Sequence, residues 1–369
     1  MDYKSKSSIF SNIKQKFVKN EKLRYILKLF IIFFISFIFI NIILKLKKDL
    51  YKTVLNLKEF IKIQNLESEH FNEIINEEYR QKQNNFCKNI NEFYNQEFES
   101  KIKLTKIIFN NITFFMFLYK KDDAVSDFIS RYGIWEKDST YNIIYGLNFY
   151  SQKKNLINKD IYIIDIGGNI GWYTFLLGKI GYNLITFEPS KINYYILNKN
   201  YCLNKEVNVT LINKGLFIEE KICHINTQKT NIGNGLINCN KELDIKSIIN
   251  NKEIVLTKLS NYISFFKNKN LALIKMDIEG SEGKAFESGI ELITKYHIPF
   301  IILEFSPNNL RLYDTNPKRF LEMFISNGYK INMLNFFEKK IYDIEYLLKH
   351  NNNNFYIVYS PFLEKYNYL

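Results

Sequence analysis

Four carboxylates each close a short apolar run: Asp165 in "IYIID", Glu188 in "LITFE", Asp277 in "LIKMD" and Glu304 in "FIILE". Asp165 opens the turn "DIGGNIG", which contains Gly167, Gly168, Asn169 and Gly171. The dinucleotide pattern G-x-G-x-x-G fails at Asn169. An acid at this position is awkward beside a pyrophosphate but suits a ligand with a cationic amino group. Gly167 and Gly168 let the backbone approach such a ligand with no Cβ in the way. Asn169 is placed to cap a helix starting near Gly171. Glu188 follows Asp165 by 23 residues, where a carboxylate accepts bonds from ribose hydroxyls in nucleoside-binding sheets. A nucleoside carrying positive charge satisfies both acids, and S-adenosylmethionine bears an ammonium and a sulfonium.

The third run continues as "LIKMDIEGSEGKAFESG", placing Lys275, Asp277, Glu279 and Glu282 within eight residues. Strand alternation would turn Lys275, Asp277 and Glu279 to one side. With Glu304 they gather acids at one rim of a sheet, where a general base or a divalent cation could sit. Glu282 reads as a helix-capping residue.

These groups need a sheet to hold them. Strands are expected at Ile161–Ile164, Leu184–Phe187, Val209–Ile212, Leu271–Met276 and Phe300–Glu304. Helices are expected at Gly171–Lys179, Lys191–Tyr201 and Ser281–Lys295, and near Pro317–Asn327. Short apolar strands alternating with helices predict a doubly wound, Rossmann-like α/β sheet, mostly parallel. "YKINMLN" and "NFYIVYS" supply an antiparallel C-terminal edge. Upstream, "IIFNNITFFMFLY" is strand material, and "DDAVSDFISRYGIWE" is a short helix with a turn at Gly133.

The formal net charge of +13 belongs mostly to one end: residues 1–62 hold 14 Lys or Arg against four acids. That excess flanks the apolar run "LFIIFFISFIFINIIL", and no nucleic-acid partner is expected from it. Residues 1–24 read as a basic tail and 25–46 as a single transmembrane anchor, long enough to span a bilayer. "KLKKDL" follows, where a cleaved signal peptide would carry small residues. The flanking charges are nearly tied; the tail is expected on the cytoplasmic side. Residues 47–99 read as a helical stalk, either a short coiled coil able to dimerise or a single helix packing on the domain at 100–369. Cys87, Cys202, Cys223 and Cys239 form no CxxC pair. They allow two disulfides or none and leave the redox compartment open.

"IDIGGNIGWYTFLLGK", "ITFEPS", "IKMDIEGSEGKAFESG" and "IILEFSP", with the upstream "DDAVSDFISRYGIWE", resemble the FkbM-type methyltransferases, a branch of the class I S-adenosylmethionine-dependent enzymes. The resemblance covers roughly residues 100–360. It implies a class I methyltransferase sheet and O-methylation of a sugar or glycan hydroxyl. By that resemblance Asp165, Gly167, Gly168, Asn169 and Gly171 contact the methionine half of the cofactor and Glu188 the ribose. Asn213 lies towards the adenine, and Asp277, Glu279 and Glu304 stand beside the methyl group. The family usually has Ala where this chain has Gly168. Trp135 and Glu136 line either the acceptor side or the packing of the upstream segment. Two other readings of the residues are an NAD(P)-dependent oxidoreductase and an inactive membrane-anchored binding protein. The missing third-position glycine and the rim acids oppose the first, and the complete motifs oppose the second.

Overall fold

The computed structural model describes residues 77–90, 96–228, 231–239 and 252–368. The basic tail, the anchor at 25–46 and the stalk up to residue 76 lie outside the described residues. Among those described, no helix is long and apolar enough to cross a membrane.

The described residues begin with helix α1 (77–88) and a short α2 (Gln96–Glu99). Strands β1 (Ile102–Phe109) and β2 (Ile112–Tyr119) follow as an antiparallel hairpin. Helices α3 (Ala124–Tyr132) and α4 (Lys137–Lys154) then lead into the central sheet. Its first half is β3 (Ile161–Ile166), α5 (Trp172–Ile180), β4 (Asn183–Phe187), α6 (Lys191–Leu203) and β5 (Val209–Ile212). Next come β6 (Gly215–Leu216), β7 (Lys221–Gln228), β8 (Asn231–Asn238) and β9 (Lys252–Thr257). They form a second sheet of order β6-β9-β7-β8, absent from the sequence expectation. The second half is β10 (Asn270–Met276), α7 (Glu282–Ser288), α8 (Glu291–Thr294), β11 (Phe300–Phe305), α9 (Pro307–Leu312), α10 (Pro317–Ser326), β12 (Tyr329–Asn332) and β13 (Asn353–Tyr359).

The central order is β12-β13-β11-β10-β3-β4-β5. Strands β11, β10, β3, β4 and β5 run parallel. Strand β13 is antiparallel to both neighbours, so the reversal expected at the C-terminal end belongs to β13, and the edge strand β12 runs with the parallel set. Helices cover both faces, which is why the strands are continuous apolar runs. Along β3, Ile161 and Ile163 enter one buried cluster with residues of α4, α5 and α6. Ile164 and Ile166 enter the other, with residues of α7 and α10. The chain leaves β3 for β4 on one side and meets β10 on the other, so a crevice opens at the carboxyl ends of β3 and β10. This is a doubly wound α/β arrangement, parallel but for β13.

Side chains finish two strand edges. Asn200 of α6 bonds both the N–H and the C=O of Phe117, and Asn204 donates to Phe115 O. Gln83 of α1 donates to Val209 O and accepts from Leu211 N, completing the β5 edge. A Cys87–Cys202 disulfide ties α1 to α6. Helix α1 therefore packs on the domain.

One expected element breaks in two. The helix predicted over Ser281–Lys295 stops at Ser288 and resumes at Glu291. A Cβ at Gly289 would stand 2.6 Å from Leu259 Cγ, so the chain needs glycine, and its weak helix propensity, at that contact.

Candidate active site

Asp165 is the penultimate residue of β3 and is 1% exposed. Its Oδ2 accepts from Thr174 Oγ1 at 2.7 Å, and that hydroxyl lies 2.9 Å from Thr186 Oγ1. Burial raises the Asp165 carboxyl, against the pull of the Lys275 charge and the Thr174 hydroxyl. Gly167 and Gly168 both donate to Phe187 O, at 2.9 and 3.0 Å, folding the turn onto the end of β4. A Cβ at Gly168 would collide with Thr186 Cγ2. The alanine usual in the resembled family does not fit beside this threonine.

Glu188 follows β4 with both oxygens already engaged. Oε2 accepts from Asn169 N and Oε1 from Ser190 N, each at 2.8 Å. Burial nevertheless pushes the carboxyl up to about 7. Asn213 Nδ2 donates to Glu188 O at 2.8 Å and Pro189 O at 3.2 Å, so Asn213 braces the turn that carries Glu188. The helix-capping role expected of Asn169 is not made. Gly171 is the N-cap of α5, Asn169 adopts a left-handed φ of 49°, and its Oδ1 has no hydrogen-bond partner among the described residues.

On the other side of the crevice, Asp277 N donates to Ile166 O at 3.1 Å, extending the β10–β3 ladder to the glycine turn. Carboxylate oxygens of Asp277, Glu279 and Glu304 lie within 4.8 Å of one another. Strand alternation does not assemble them. Strand β10 ends at Met276, and Glu279 swings in through a left-handed φ of 57°. Burial, then the charges of Asp277, Glu279, Glu282 and Glu136, push Glu304 up to about 8. Burial and Asp277 also raise Glu279. Glu282 opens α7, accepts from Ile278 N at 3.0 Å and is pushed by burial to about 7.

Lys275 is 8% exposed, donates to Gly167 O at 3.3 Å and lies 3.6 Å from Asp277 Oδ2. Burial works against its cation, but Asp277, Asp165 and Glu136 outweigh that and raise its pKa. Glu136, at a left-handed φ of 41°, accepts from Tyr173 OH at 2.6 Å and from Asn354 Nδ2 at 3.2 Å. Asn354 is the register partner of Glu304, so Glu136 belongs to the rim. Trp135 packs against the core cluster and stacks edge-on with Phe128, which favours packing for that residue.

The second sheet supplies a roof. Gly167, Asn169, Glu188, Asn193, Asp277 and Glu279 line a cleft of 60 Å³ together with Gly233, Asn234 and Gly235 of β8. Asn193 Nδ2 donates to Gly233 O at 2.7 Å, and Asn234 Nδ2 donates to Glu279 Oε1. A Cys223–Cys239 disulfide joins β7 to the end of β8. Sequence reasoning missed this roof because "NIGNGLIN" shows no apolar run; its alternating glycines were the available signal of close backbone approach.

Residues 165–331 match the family model of the methyltransferase FkbM domain. Over that stretch the chain is similar to the FkbM methyltransferase domain. The match takes in Asp165, Glu188, Asp277, Glu279 and Glu304, while Asp123, Glu136 and Asn354 lie outside it. The sequence matches no curated protein. Among solved structures it is similar to WbdD, at 10% identity and TM-score 0.36, over 60% of this chain and 39% of that one. It is also similar to the N-terminal domain of human METTL16, at 11% identity and TM-score 0.34, over 71% and 88%. An O-methyltransferase from Bacillus cereus in complex with SAH is a third, at 14% identity and TM-score 0.30, over 64% and 96%. At such scores these carry no argument about this chain.

The FkbM family implies S-adenosylmethionine as methyl donor. The donor set of the crevice fits it. Asp165 Oδ1, Asn169 Oδ1 and Asp123 Oδ1 are buried acceptors with no hydrogen-bond partner among the described residues. They call for a ligand that presents N–H and O–H groups, as an ammonium and a ribose do, and would repel a diphosphate. Sites for ligands of this size span about 300–1,000 Å³, more than the 60 Å³ of this cleft.

Proposed function

We propose that the FkbM domain methylates a hydroxyl group, on a sugar or glycan, at the crevice between β3 and β10. The observation that supports this most is the convergence of the Asp277, Glu279 and Glu304 carboxylates beside the glycine turn. S-adenosylmethionine, when bound, supplies a methyl group on a sulfonium that leaves as a neutral thioether. Asp165 would hold the ammonium and Glu188 the ribose. A sugar hydroxyl is a weak nucleophile. Its proton passes to an ionised oxygen of the rim as the new O–C bond forms, a contribution of about 10²–10⁴ in rate. Positioning of the acceptor oxygen supplies more, roughly 7–11 kcal/mol in favourable cases.

A divalent cation is the second reading of the rim. Three crowded carboxylates relieve their repulsion by taking either a proton or a cation, and a cation there would lower the hydroxyl's pKa instead. Magnesium titration separates the two: activity abolished by a chelator and restored by magnesium supports the cation, and activity unchanged by the chelator supports the base.

The N-terminal segment 25–46 anchors the chain in a membrane, with the tail cytoplasmic and the domain in an oxidising compartment. The pairing of all four cysteines, Cys87 with Cys202 and Cys223 with Cys239, supports that orientation, because such bonds persist in oxidising compartments.

The test is a methyl-label transfer screen with the full-length chain across glycans, lipids and proteins. Label on a carbohydrate hydroxyl is expected. Label on protein nitrogen, or nicotinamide turnover in place of methyl transfer, would contradict the reading.

A further inference from the structure

Two buried oxygens from distant parts of the chain face one glycine. Asp123 caps α3: its Oδ2 accepts from Ser126 N at 2.8 Å, while Oδ1 has no hydrogen-bond partner among the described residues. The residue is 3% exposed. Asn169 Oδ1, in the glycine turn, is likewise buried and unpartnered. A Cβ at Gly233 would collide with Asp123 Oδ1 and stand 3.3 Å from Asn169 Oδ1. Burial raises the Asp123 carboxyl, against the pull of Ser126 and of the Gly233 amide. Leaving two buried acceptors without donors is costly, and a fold tolerates it where a ligand brings the donors.

The surroundings say which ligand. Asn169, Glu188, Asn193 and Gly233 line the same cleft. Tyr119 feels the charges of both Asp123 and Glu188, and its hydroxyl donates to Asn193 Oδ1 at 2.8 Å. Asn193 in turn holds Gly233. Asp123 thus lies against Gly233 of the roof strand, which lines the cleft together with Glu188. We propose that Asp123 is a further nucleoside-recognition residue, accepting with Asn169 from the ribose hydroxyls once β8 draws back. The inference rests on the S-adenosylmethionine reading. It adds a residue outside the family match, and it makes the site selective for a ribose over a deoxyribose.

The test is calorimetry on the full-length chain with S-adenosylhomocysteine and its 2′-deoxy and 3′-deoxy forms, repeated on Asp123→Asn and Asp123→Ser. Both substitutions keep a helix-capping side chain, and the melting temperature without ligand reads the fold separately. The variants should bind the parent compound roughly 10- to 100-fold more weakly with little change in melting temperature. One deoxy form should lose comparable affinity for the unaltered chain and lose little more in the variants. Variants that bind within twofold of the unaltered chain would overturn the inference and leave methyl transfer standing. An unaltered chain that binds both deoxy forms as tightly as the parent would overturn it whatever the variants do. An unaltered chain that binds none of the three would overturn the methyltransferase reading and this inference with it.

Discussion

The two sides of the crevice use the same functional group differently. On the β3–β4 side, Glu188 accepts two backbone amides and Asp165 a threonine hydroxyl, so each carboxyl is fixed by the chain itself. On the β10–β11 side, Asp277, Glu279 and Glu304 crowd together, with Lys275 beside Asp277 and Asn234 of the roof on Glu279. Glu188 reaches about 7 through burial. Glu304 reaches about 8 through burial reinforced by neighbouring negative charge. An acid held by donors is suited to holding a ligand. An acid left among like charges is suited to taking a proton or a cation.

The largest effect that would break this contrast is on the rim. Asp277→Asn should lower turnover by about 10²–10⁴ while S-adenosylhomocysteine binding, read by calorimetry, stays within a few-fold. Retained turnover would remove Asp277 from the chemistry. The mirror substitution, Asp165→Asn, should act on binding instead. Losing a charged partner for the ammonium weakens it by roughly 1.5–3 kcal/mol, with the turnover of saturated enzyme less affected.

Gly168→Ala tests how tightly the holding side is built. The clash with Thr186 should cost about 1–3 kcal/mol in denaturant unfolding. Adding Thr186→Ser, which removes the clashing methyl group, should recover part of it.

The smallest effect is a pH dependence. Ribose donors favour ionised Glu188, so cofactor affinity should rise as pH passes through about 7, by about tenfold between pH 6 and 8. Without ligand the sign reverses for stability. Glu188 is raised from 4.5 to about 7, so the folded chain binds more protons than the unfolded chain between those values. Its contribution is present at low pH and is lost as pH rises through about 7. Glu188→Gln should flatten that window in thermal melts.

The sequence made the holding side legible because its chemistry is local: an acid, a glycine turn and a second acid sit at fixed distances from strands with clear apolar runs. The rim residues were legible as residues but not as an arrangement, because Glu279 arrives by a left-handed turn rather than by strand alternation. The roof escaped notice. "KICHINTQ" and "NIGNGLIN" form a sheet through pairing across the chain, and polar alternation alone does not announce it. The break in the helix at Gly289 came from a contact with Leu259, 30 residues earlier in the chain. Four cysteines admit three full pairings, so only the fold could join Cys87 to Cys202 and Cys223 to Cys239.

The most direct measurement is a crystal structure of the chain with S-adenosylhomocysteine. The account predicts the ribose hydroxyls on Glu188, the amino group on Asp165 and the sulfur facing Asp277, Glu279 and Glu304, with β8 displaced from its position over Gly167 and Asn169. Binding outside that crevice, or a sulfur turned away from the three acids, would contradict it.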